Sequence, residues 1–388
     1  MKLKCRPDDF VVTENISLAS AAGVFSLYCL HKTNIGTLEA IQQISRIWNL
    51  PAGRIAHAGL KDRHAVAQQS ITIRHGPQSD IQQDRFSVRY LGQTATPLTA
   101  ASIRSNRFQI VIRRLTVEQA IGIVEQATVP NGFVVPNYFD EQRFGSLGFS
   151  GDYVAVAWCR RDYERATWLA LADPNRHDRS DEKAQKCILR DHWGDWPECK
   201  QQLSRSHRRS IVTYLVDHPE GFRRAFGLIR PGLRGLYLSA FQSAVWNRIL
   251  GQQIRLKQSG LVETRIADSQ LPFGRLAAEL ISSVDQMMPL ISARTRSMND
   301  DEQTLATAAT AHYGLRTNEM KVMYPRDRFF SRGSRRCWLS ADHMRAQSQV
   351  DELYPGYQSV SLDFELPAGC YATMLIRGLT YDDKKNYS

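Results

Sequence analysis

A lysine and an aspartate stand side by side in the stretch Gly59-Leu60-Lys61-Asp62, and this pair is the first candidate for chemistry in the chain. An ionised carboxylate can attack an electrophilic carbon or remove a proton, and a neighbouring cation favours its ionised form. Glycine accepts backbone conformations that other residues resist, so Gly59 predicts a turn that presents the pair on a loop. Without further context, a solvated turn with a charged tip is the simpler interpretation.

The segments around this loop have the patterns of regular secondary structure. Leu38 to Leu50 is a predicted helix, because apolar residues at positions 38, 41, 44 and 48 follow helical spacing after Thr37, which can cap a helix. Residues 66–73 alternate and are rich in β-branched side chains, which predicts a strand. Phe10 to Val12 is a second predicted strand, and Glu14 falls on the same face as Phe10. Because that face is partly apolar, Glu14 either lies at a solvent-exposed end of the strand or pairs with another polar group.

The composition predicts a folded protein with an anionic partner. The chain has 388 residues, of which 43% are hydrophobic, enough for the cores of roughly two or three domains. Lysine and arginine total 50 against 39 aspartate and glutamate residues, a formal net charge of +11. That excess favours nucleic acid as the partner and leaves an anionic membrane surface open. Basic residues cluster at Arg160-Arg161, Arg205 with Arg208-Arg209, Arg223-Arg224, and positions 326–336.

The seven cysteines are scattered, odd in number, and contain no Cys-x-x-Cys pair. This usage argues against a disulfide framework and predicts a reducing, cytoplasmic compartment. The group Cys187, His192 and Cys199 matches no zinc-site spacing, so no metal site is predicted. No segment has the pattern of a signal peptide or reaches membrane-spanning length, so no membrane association is expected.

Strand-like segments at both ends of the chain enclose a helical middle, which predicts a discontinuous domain that carries an insertion. Residues 163–232 are helical and basic, and Leu236 to Leu256 is another strong helix candidate. The alternating pattern returns at residues 359–365, where every second residue is apolar. The predicted ranges are 1–162 and 341–388 for the two parts of the outer domain, and 163–340 for the inserted domain.

An ordered series of motifs runs across most of the chain. The central motif is Ala58-Gly-Leu-Lys-Asp-Arg-His-Ala-Val66 with Gln69. The others are, in chain order, Pro7-Asp-Asp-Phe-Val-Val-Thr-Glu14, Lys32-Thr-Asn34 with Thr37, Asn106-Arg-Phe108, Pro136-Asn-Tyr-Phe139, Gln142-Arg-Phe-Gly145, Ser239-Ala-Phe-Gln-Ser243 with Asn247, and Leu366-Pro-Ala-Gly369 with Tyr371-Ala-Thr373 and Arg377. Each motif is weak alone, but in their order and spacing they resemble the TruD family of pseudouridine synthases.

The resemblance implies an α+β pseudouridine synthase fold with a mainly antiparallel sheet, interrupted by a family-specific inserted α/β domain, the TRUD domain. It implies an isomerase that converts a uridine of tRNA, at position 13 in the D-arm, to pseudouridine with an aspartate catalyst and a flipped base. Neither a cofactor nor a metal is implied, and the expected oligomeric state is a monomer.

The same resemblance assigns roles to individual residues. Asp62 matches the catalytic aspartate. Phe10, Asn137 and Tyr371 match positions that contact the substrate, and Phe139 lies beside them in the family's pocket. Lys61 is expected to be the electrostatic partner of Asp62. The supporting set, which neighbours the site or contacts phosphate, is Lys61, Glu14, Gln142, Arg143 and Arg377.

Simpler interpretations exist for several of these residues. Core packing explains Phe10 and Phe139 as well as substrate contact does. Asn137 is a common choice for a turn after proline, and Arg143 is as able to pair with a carboxylate as to contact RNA. Tyr138 would point away from Phe139 along an extended segment, so it stays outside the catalytic set.

Three positions depart from the family pattern. Asp140 stands where glycine is usual, Gly378 stands where a glutamate is common, and Ala67 replaces a frequent threonine. None of these positions is Asp62, Asn137 or one of the aromatic residues, so the catalytic assignment is kept.

Two other functions remain open at this point. An RNA-binding protein of the same fold could act as a tRNA-folding chaperone with weak or absent catalysis, although the intact Asp62 and Asn137 favour an enzyme. A two-carboxylate glycoside hydrolase could use Asp62 and Glu14. The positive charge and the absence of a tryptophan-lined sugar groove near the motifs argue against that hydrolase.

Overall fold

The structure is a computed structural model that describes residues 1–18, 22–129, 132–176, 178–281, 285–296 and 298–380. The chain divides into two compact units. The first is discontinuous and consists of Met1–Val135 and the segment that begins at Leu339, and the second is Pro136–Trp338. The division falls after residues 135 and 338, whereas the sequence prediction puts it after residues 162 and 340.

A nine-stranded sheet is the framework of the first unit. Its strands, numbered along the whole chain, are β1 (Phe10–Ile16), β2 (Phe25–Thr33), β3 (Ile55–His57), β4 (Val66–Arg74), β5 (Ile81–Gln82), β6 (Phe86–Thr94), β7 (Ile103–Leu115), β14 (Asp342–Val350) and β15 (Gln358–Pro367). Their order is β14-β15-β7-β1-β4-β2-β6-β5, with β3 paired to β4. Only β1 and β4 run parallel, and the other neighbours are antiparallel. The predicted α+β class with a mainly antiparallel sheet is confirmed.

Strand β1 shows why the sheet has this register. Phe10, Val12 and Glu14 are buried on one face, whereas Val11 and Thr13 are only half-buried. This period of two is what the alternating sequence predicts for a strand with one face toward the core. Because a slip of one residue would turn Glu14 outward and the intervening side chains inward, the buried face specifies the pairing.

Aromatic rings continue that buried face across the neighbouring strands. Phe10 of β1 packs edge-on against Phe108 of β7, with 6.0 Å between ring centroids. Phe108 in turn stacks on Phe364 of β15 at 5.5 Å. Edge-on and offset stacked pairs are the favoured aromatic geometries, so this row joins the first and last parts of the discontinuous unit.

Three α-helices accompany the sheet in the described part of the first unit: α1 (Thr37–Ile47), α2 (Val117–Ala127) and α11 (Ala372–Leu379). Helix α1 buries Ile41 and Ile44 in a core that includes Tyr28 and Ile71. The sequence predicts this helix as far as Leu50, but it ends at Ile47. Asn49 has a φ of +49°, a left-handed conformation that is common just beyond a helix C-terminus.

A buried ion cluster ties the ends of the first unit together. Arg113 of β7 lies with its Nη2 atom 2.7 Å from Asp9 Oδ1 and its Nη1 atom 3.2 Å from Asp351 Oδ1. All three residues are buried. Burial alone would raise the pKa of Asp351, but hydrogen bonds from the Arg114 and Leu353 amides and from Arg113 outweigh it and lower that pKa.

The second unit is mostly helical. Its helices are α3 (Val154–Cys159), α4 (Tyr163–Leu171), α5 (Ser180–Asp191), α6 (Trp196–Gln202), α7 (His207–Asp217), α8 (Phe222–Leu228), α9 (Pro231–Lys257) and α10 (Asp300–Ala311). The helix predicted from Leu236 to Leu256 lies inside α9, in which Phe241 and Trp246 are fully buried. None of the described helices is both long and apolar enough to cross a membrane.

Short strand pairs accompany these helices. Strand β9 (Val262–Ile266) pairs with β10 (Ser269–Phe273), and β11 (Met287–Pro289) pairs with β12 (Ser334–Arg336). Strands β8 (Val134–Pro136) and β13 (Trp338–Ser340) form a third pair, at the two places where the chain passes from one unit to the other.

Candidate active site

The loop that carries Asp62 connects β3 to β4, and side chains of the first unit fix its backbone. The Lys61 amide donates to Thr37 Oγ1 at 3.0 Å, and the Gly59 carbonyl accepts from Gln69 Nε2 at 3.2 Å. Thr37 Oγ1 donates to Gln69 Oε1 at 2.8 Å, and both of these residues are buried. Thr37 is the first residue of α1 rather than its predicted cap, since the N-cap residue is Gly36. The first residue of α1 and the start of β4 therefore hold the loop in one conformation.

Lys32 fixes the main chain of Asp62 by a hydrogen bond to its carbonyl. This residue of β2 is fully buried, and its ammonium donates to the carbonyl of Ile35 at 2.8 Å and to the carbonyl of Asp62 at 2.6 Å. Burial lowers the pKa of Lys32 to about 8, although the negative charge of Asp62 acts in the opposite direction.

The carboxylate of Asp62 carries an ion pair with Lys4. The Lys4 Nζ atom lies 2.5 Å from Asp62 Oδ2, and the two side chains are 27% and 28% exposed. The same ammonium lies over the ring of Phe10, 4.2 Å from the ring centroid. Lys4 thus joins the predicted catalytic aspartate to the predicted substrate-contacting phenylalanine, and Asp62 keeps access to solvent.

The position of Lys61 corrects the expected electrostatic pairing. The sequence predicts Lys61 as the partner of Asp62, but its Nζ atom lies 2.7 Å from Glu14 Oε1 and donates to Asn106 Oδ1 at 2.8 Å. Glu14 also accepts from the Ser70 amide at 3.1 Å. Glu14 lies on the buried face of β1, where an unpaired carboxylate would be costly, and Lys61 supplies the charge that it needs.

A second group of predicted site residues lies in the second unit, around Asn137. The Asn137 side chain is buried, donates from Nδ2 to the Arg336 carbonyl at 2.9 Å, and accepts at Oδ1 from Arg335 Nη2 at 2.8 Å. Arg335 Nε also donates to the Asn137 carbonyl at 2.9 Å. An amide offers two donors and two acceptor lone pairs, and these side-chain bonds use one of each kind.

Phe139 is held by its backbone and by aromatic packing. Its amide donates to Asn247 Oδ1 at 2.8 Å, and its carbonyl accepts from Asn247 Nδ2 at 2.9 Å. Its ring packs edge-on against Trp246, and the Arg335 guanidinium lies 4.1 Å from the ring centroid. Tyr138 donates instead to the carbonyl of Pro272, so adjacent rings of this extended segment have different partners.

The remaining predicted residues are divided between the two units. Arg143 donates to Ser239 Oγ at 3.4 Å and, with Gln142, lies in a short 3-10 turn of the second unit. Tyr371 immediately precedes α11 and is half-buried, and Arg377 lies in the last turn of that helix in the first unit. Within the first unit, Lys4 contacts both Phe10 and Asp62. Lys61, which precedes Asp62 in the chain, pairs with Glu14. The convergence of both groups on one substrate stays a prediction.

Three basic residues of these groups were missed by the sequence analysis: Lys4, Lys32 and Arg335. Lys4 precedes the first motif, and its contact with Asp62 spans 58 residues of sequence. Lys32 stands in a recognised motif, but nothing in that motif shows that its ammonium is buried. Arg335 belongs to the basic run at 326–336, where a buried guanidinium and a solvated one look the same.

Comparison with known proteins decides the family. A family model described as tRNA pseudouridine synthase D (TruD) matches residues 1–379. The chain belongs to the TruD family. The resemblance drawn from the motifs is therefore confirmed.

Relatives in the TruD family cover the chain from end to end. The chain is 26% identical over 396 residues to "Probable tRNA pseudouridine synthase D 1" of Methanococcus maripaludis, covering 97% of this chain and 98% of the relative. It is 24% identical to tRNA pseudouridine synthase D of Aquifex aeolicus, covering 100% of both chains. A crystal structure described under the name tRNA pseudouridine synthase D (TruD), from Methanosarcina mazei, matches with a TM-score of 0.71 at 21% identity, covering 98% of this chain and 94% of that one. The last match shows that the TruD fold is shared.

Proposed function

We propose that this TruD-family protein isomerises a uridine of tRNA to pseudouridine, with Asp62 as the catalytic carboxylate. The single observation that carries the proposal is the setting of Asp62 in the family motif. Its main chain is held by the buried Lys32, and its partly exposed carboxylate is paired with Lys4. Such a carboxylate is fixed in position, paired with a cation and open to a substrate, as a nucleophile or a base must be.

The isomerisation of uridine to pseudouridine requires few catalytic groups beyond one carboxylate. The N1–C1′ glycosidic bond breaks, the uracil turns, and a C5–C1′ bond forms, while the hydrogen of C5 is lost to solvent and N1 gains a proton. Nothing is oxidised or reduced, so no external electron donor is required. Asp62 could attack the ribose, attack the base, or remove the ribose 2′ hydrogen, and all three routes begin with an ionised carboxylate.

The reacting uridine has to leave its stack to reach the carboxylate. Base flipping costs about a few kcal/mol, and each base that stacks on an aromatic face gains about 1–3 kcal/mol. We assign the stacking contacts to Phe10, Tyr371 and Phe139, and hydrogen bonds to the base edge to Asn137. Tyr371 is the most exposed of the three rings. Because these contacts also retain the detached uracil, their loss should lower both affinity and yield.

Further parts of the proposal extend the family assignment. The reacting nucleotide is uridine 13 of the D-arm, no cofactor or metal takes part, and the protein is a cytoplasmic monomer. Gln142, Arg143 and Arg377 support the site or contact phosphate. The proposed domains are a catalytic domain of residues 1–162 and 341–388 and an inserted TRUD domain of residues 163–340.

Tritium release from tRNA tests the proposed activity. Unmodified tRNA transcripts that carry tritium at C5 of uracil are incubated with native protein in excess and a chelator. We expect tritium to appear in water while the length of the RNA is unchanged. Tight binding without tritium release would instead support the folding-chaperone alternative, and release that stops in chelator would contradict the proposed absence of a metal.

Lys4→Met tests the ion pair at the carboxylate. A partly exposed ion pair is worth about 1 kcal/mol, so the single-turnover rate should fall about 5-fold to 10-fold. Lys2→Met removes the same charge from the same segment, where Lys2 lies over the ring of Tyr354, and should leave the rate unchanged. Equal rate losses in the two variants would mean that the lysines act through general charge rather than through Asp62.

Lys32→Met tests the support of the Asp62 main chain. Methionine cannot donate to the two carbonyls, and a displacement of about 1 Å at a reacting group can cost roughly 100-fold in rate. We expect a loss of this size in single-turnover rate, with tRNA binding retained. A native-like rate at unchanged affinity would show that Lys32 does not position Asp62.

The pKa of Lys32 also gives a stability test. Because burial lowers this pKa from 10.5 to about 8, its contribution to the free energy of unfolding is fully present above pH 10.5 and is lost as the pH falls through about 8. Native protein should therefore gain stability relative to Lys32→Met as the pH rises from 8 to 10.5. Urea denaturation of both proteins across this range measures the difference, and a constant difference would contradict the burial of a titrating ammonium.

A further inference from the structure

A groove in the second unit has the composition of a nucleic-acid site that the proposed chemistry does not use. Its volume is about 880 Å³, and its lining consists of twelve residues from three segments, namely residues 292–294, 318, 320–323, 326, 329, 330 and 332. The floor is apolar and consists of Met320, Val322 and Phe330, all of which are buried. We call this feature the basic groove. None of the residues that line it belongs to the first unit.

Four cationic side chains form the rim of the basic groove: Arg294, Lys321, Arg326 and Arg332. All four are exposed, and no aspartate or glutamate lines the groove. Within the described part of the chain, no carboxylate pairs with any of the four, although nearby Asp327 and Glu319 pair with Arg234 and Arg316 outside the groove. Unneutralised cations around a concavity concentrate anions there, so the groove attracts a polyanion such as the phosphate backbone.

An exposed aromatic ring accompanies these cations. Phe329 lines the basic groove and is 60% exposed. A ring left open to water beside cations is the pairing that sequence-independent binding of unpaired nucleotides uses, since every base has a face that can stack. Asn318 adds an exposed amide to the same lining, and an amide can bond to base edges.

The walls of the basic groove are fixed to the core of the second unit. Gln242 of α9 is buried and donates to the carbonyls of Ile291 and Ser331, both at 2.9 Å. Its Oε1 atom accepts from the Ser331 amide at 3.1 Å, and the Ala293 amide donates to the Met320 carbonyl at 3.0 Å. Because the segments on either side are tied to one helix, binding needs little ordering of the protein.

We propose that the basic groove binds an unpaired stretch of the RNA, with phosphates on the four cations and one base on Phe329. This inference rests on the proposed function in that the RNA is the tRNA substrate. The bound nucleotide is a different one from the uridine that reacts at Asp62. An acidic protein segment would also meet the cations, but it would not depend on the aromatic face of residue 329.

Binding measurements on the full-length protein test the groove. The probes are a dye-labelled unmodified tRNA transcript, a short single-stranded RNA and a duplex of the same sequence, and the readout is fluorescence anisotropy. Phe329→Ala is expected to raise the Kd for the transcript and the single strand roughly 10-fold, and Phe329→Leu to do nearly the same, because leucine has no stacking face. Phe149→Ala is the matched control, since Phe149 is 61% exposed and lies outside the groove.

Charge variants give a second readout. Lys321→Ala and Arg332→Ala should each lower the slope of log Kd against log salt by about 0.7 for the single strand. Arg265→Ala, at an exposed position of β9, removes the same charge elsewhere and should change the slope less. The two control variants, Phe149→Ala and Arg265→Ala, should form pseudouridine at the native rate.

The outcomes separate the groove from the proposed activity. If Phe329→Ala and Phe149→Ala bind all three probes with the native Kd while the native protein forms pseudouridine, the groove proposal is wrong and the activity stands. If no protein forms pseudouridine but the Kd still depends on Phe329, the activity is wrong and the groove stands. Affinity that Phe329→Leu retains would also overturn the groove proposal, because stacking would not be the contact.

Discussion

Asp62→Asn is expected to abolish pseudouridine formation, lowering the single-turnover rate at least ~1000-fold while tRNA binding is retained. Asparagine keeps the size of the side chain and an oxygen that can accept from Lys4, but it is neither a nucleophile nor a base. Lys32 bonds to the main-chain carbonyl of residue 62, so the substitution leaves the loop supported. Single-turnover assays with protein in excess separate this loss from any change in affinity.

Asp363→Asn is the matched control for this experiment. Asp363 is an aspartate of the same unit, and it pairs at the surface with Arg107 at 2.7 Å. We expect it to react at the native rate. If Asp62→Asn also reacts at the native rate, another group performs the chemistry and the assignment of Asp62 is wrong.

Arg113→Leu is expected to lower the free energy of unfolding of the first unit by about 3–5 kcal/mol, because it leaves two buried carboxylates without their cation. Asp9 and Asp351 both contact Arg113 and are buried. Urea denaturation of native and variant protein measures the loss. Arg107→Leu removes an arginine of the same strand from an exposed pair and should cost about 1 kcal/mol or less.

The effect of Arg113→Leu should depend on pH. The pKa of Asp351 is lowered in the folded protein, so its stabilising contribution is present above its ordinary pKa of 3.8 and is lost as the pH falls through the lowered value. The stability difference between native protein and Arg113→Leu should therefore narrow in acid. A difference that stays constant down to strongly acidic pH would show that the cluster does not act through ionised carboxylates.

The sequence predicts local features of this fold well where one pattern decides them. The period of two around Phe10 predicts that Glu14 shares the buried face of β1, and the structure supplies the partner that such a carboxylate requires in Lys61. Helical spacing likewise locates α1 and α9. The end of α1 was less predictable, because the apolar residues Trp48 and Leu50 still pack on the core after the helix has ended.

Sequence patterns do not show which segments come into contact when these are distant in the chain. Adjacency in the chain suggests Lys61 as the partner of Asp62, but the two side chains pair with different residues, Glu14 and Lys4. Lys4 and Lys32 reach Asp62 only because β1, β2 and β4 lie near one another in the sheet. Arg335 differs from the solvated arginines around it only in its burial against Asn137 and Phe139.

Nucleotide-resolution mapping of pseudouridine in an unmodified tRNA transcript, after one turnover with native protein and with Asp62→Asn, tests the central claim most directly. We predict pseudouridine at a single uridine, position 13 of the D-arm, with native protein and none with Asp62→Asn. Pseudouridine in both reactions would contradict the role of Asp62. Its absence from both reactions, with tRNA still bound, would contradict the proposed activity itself.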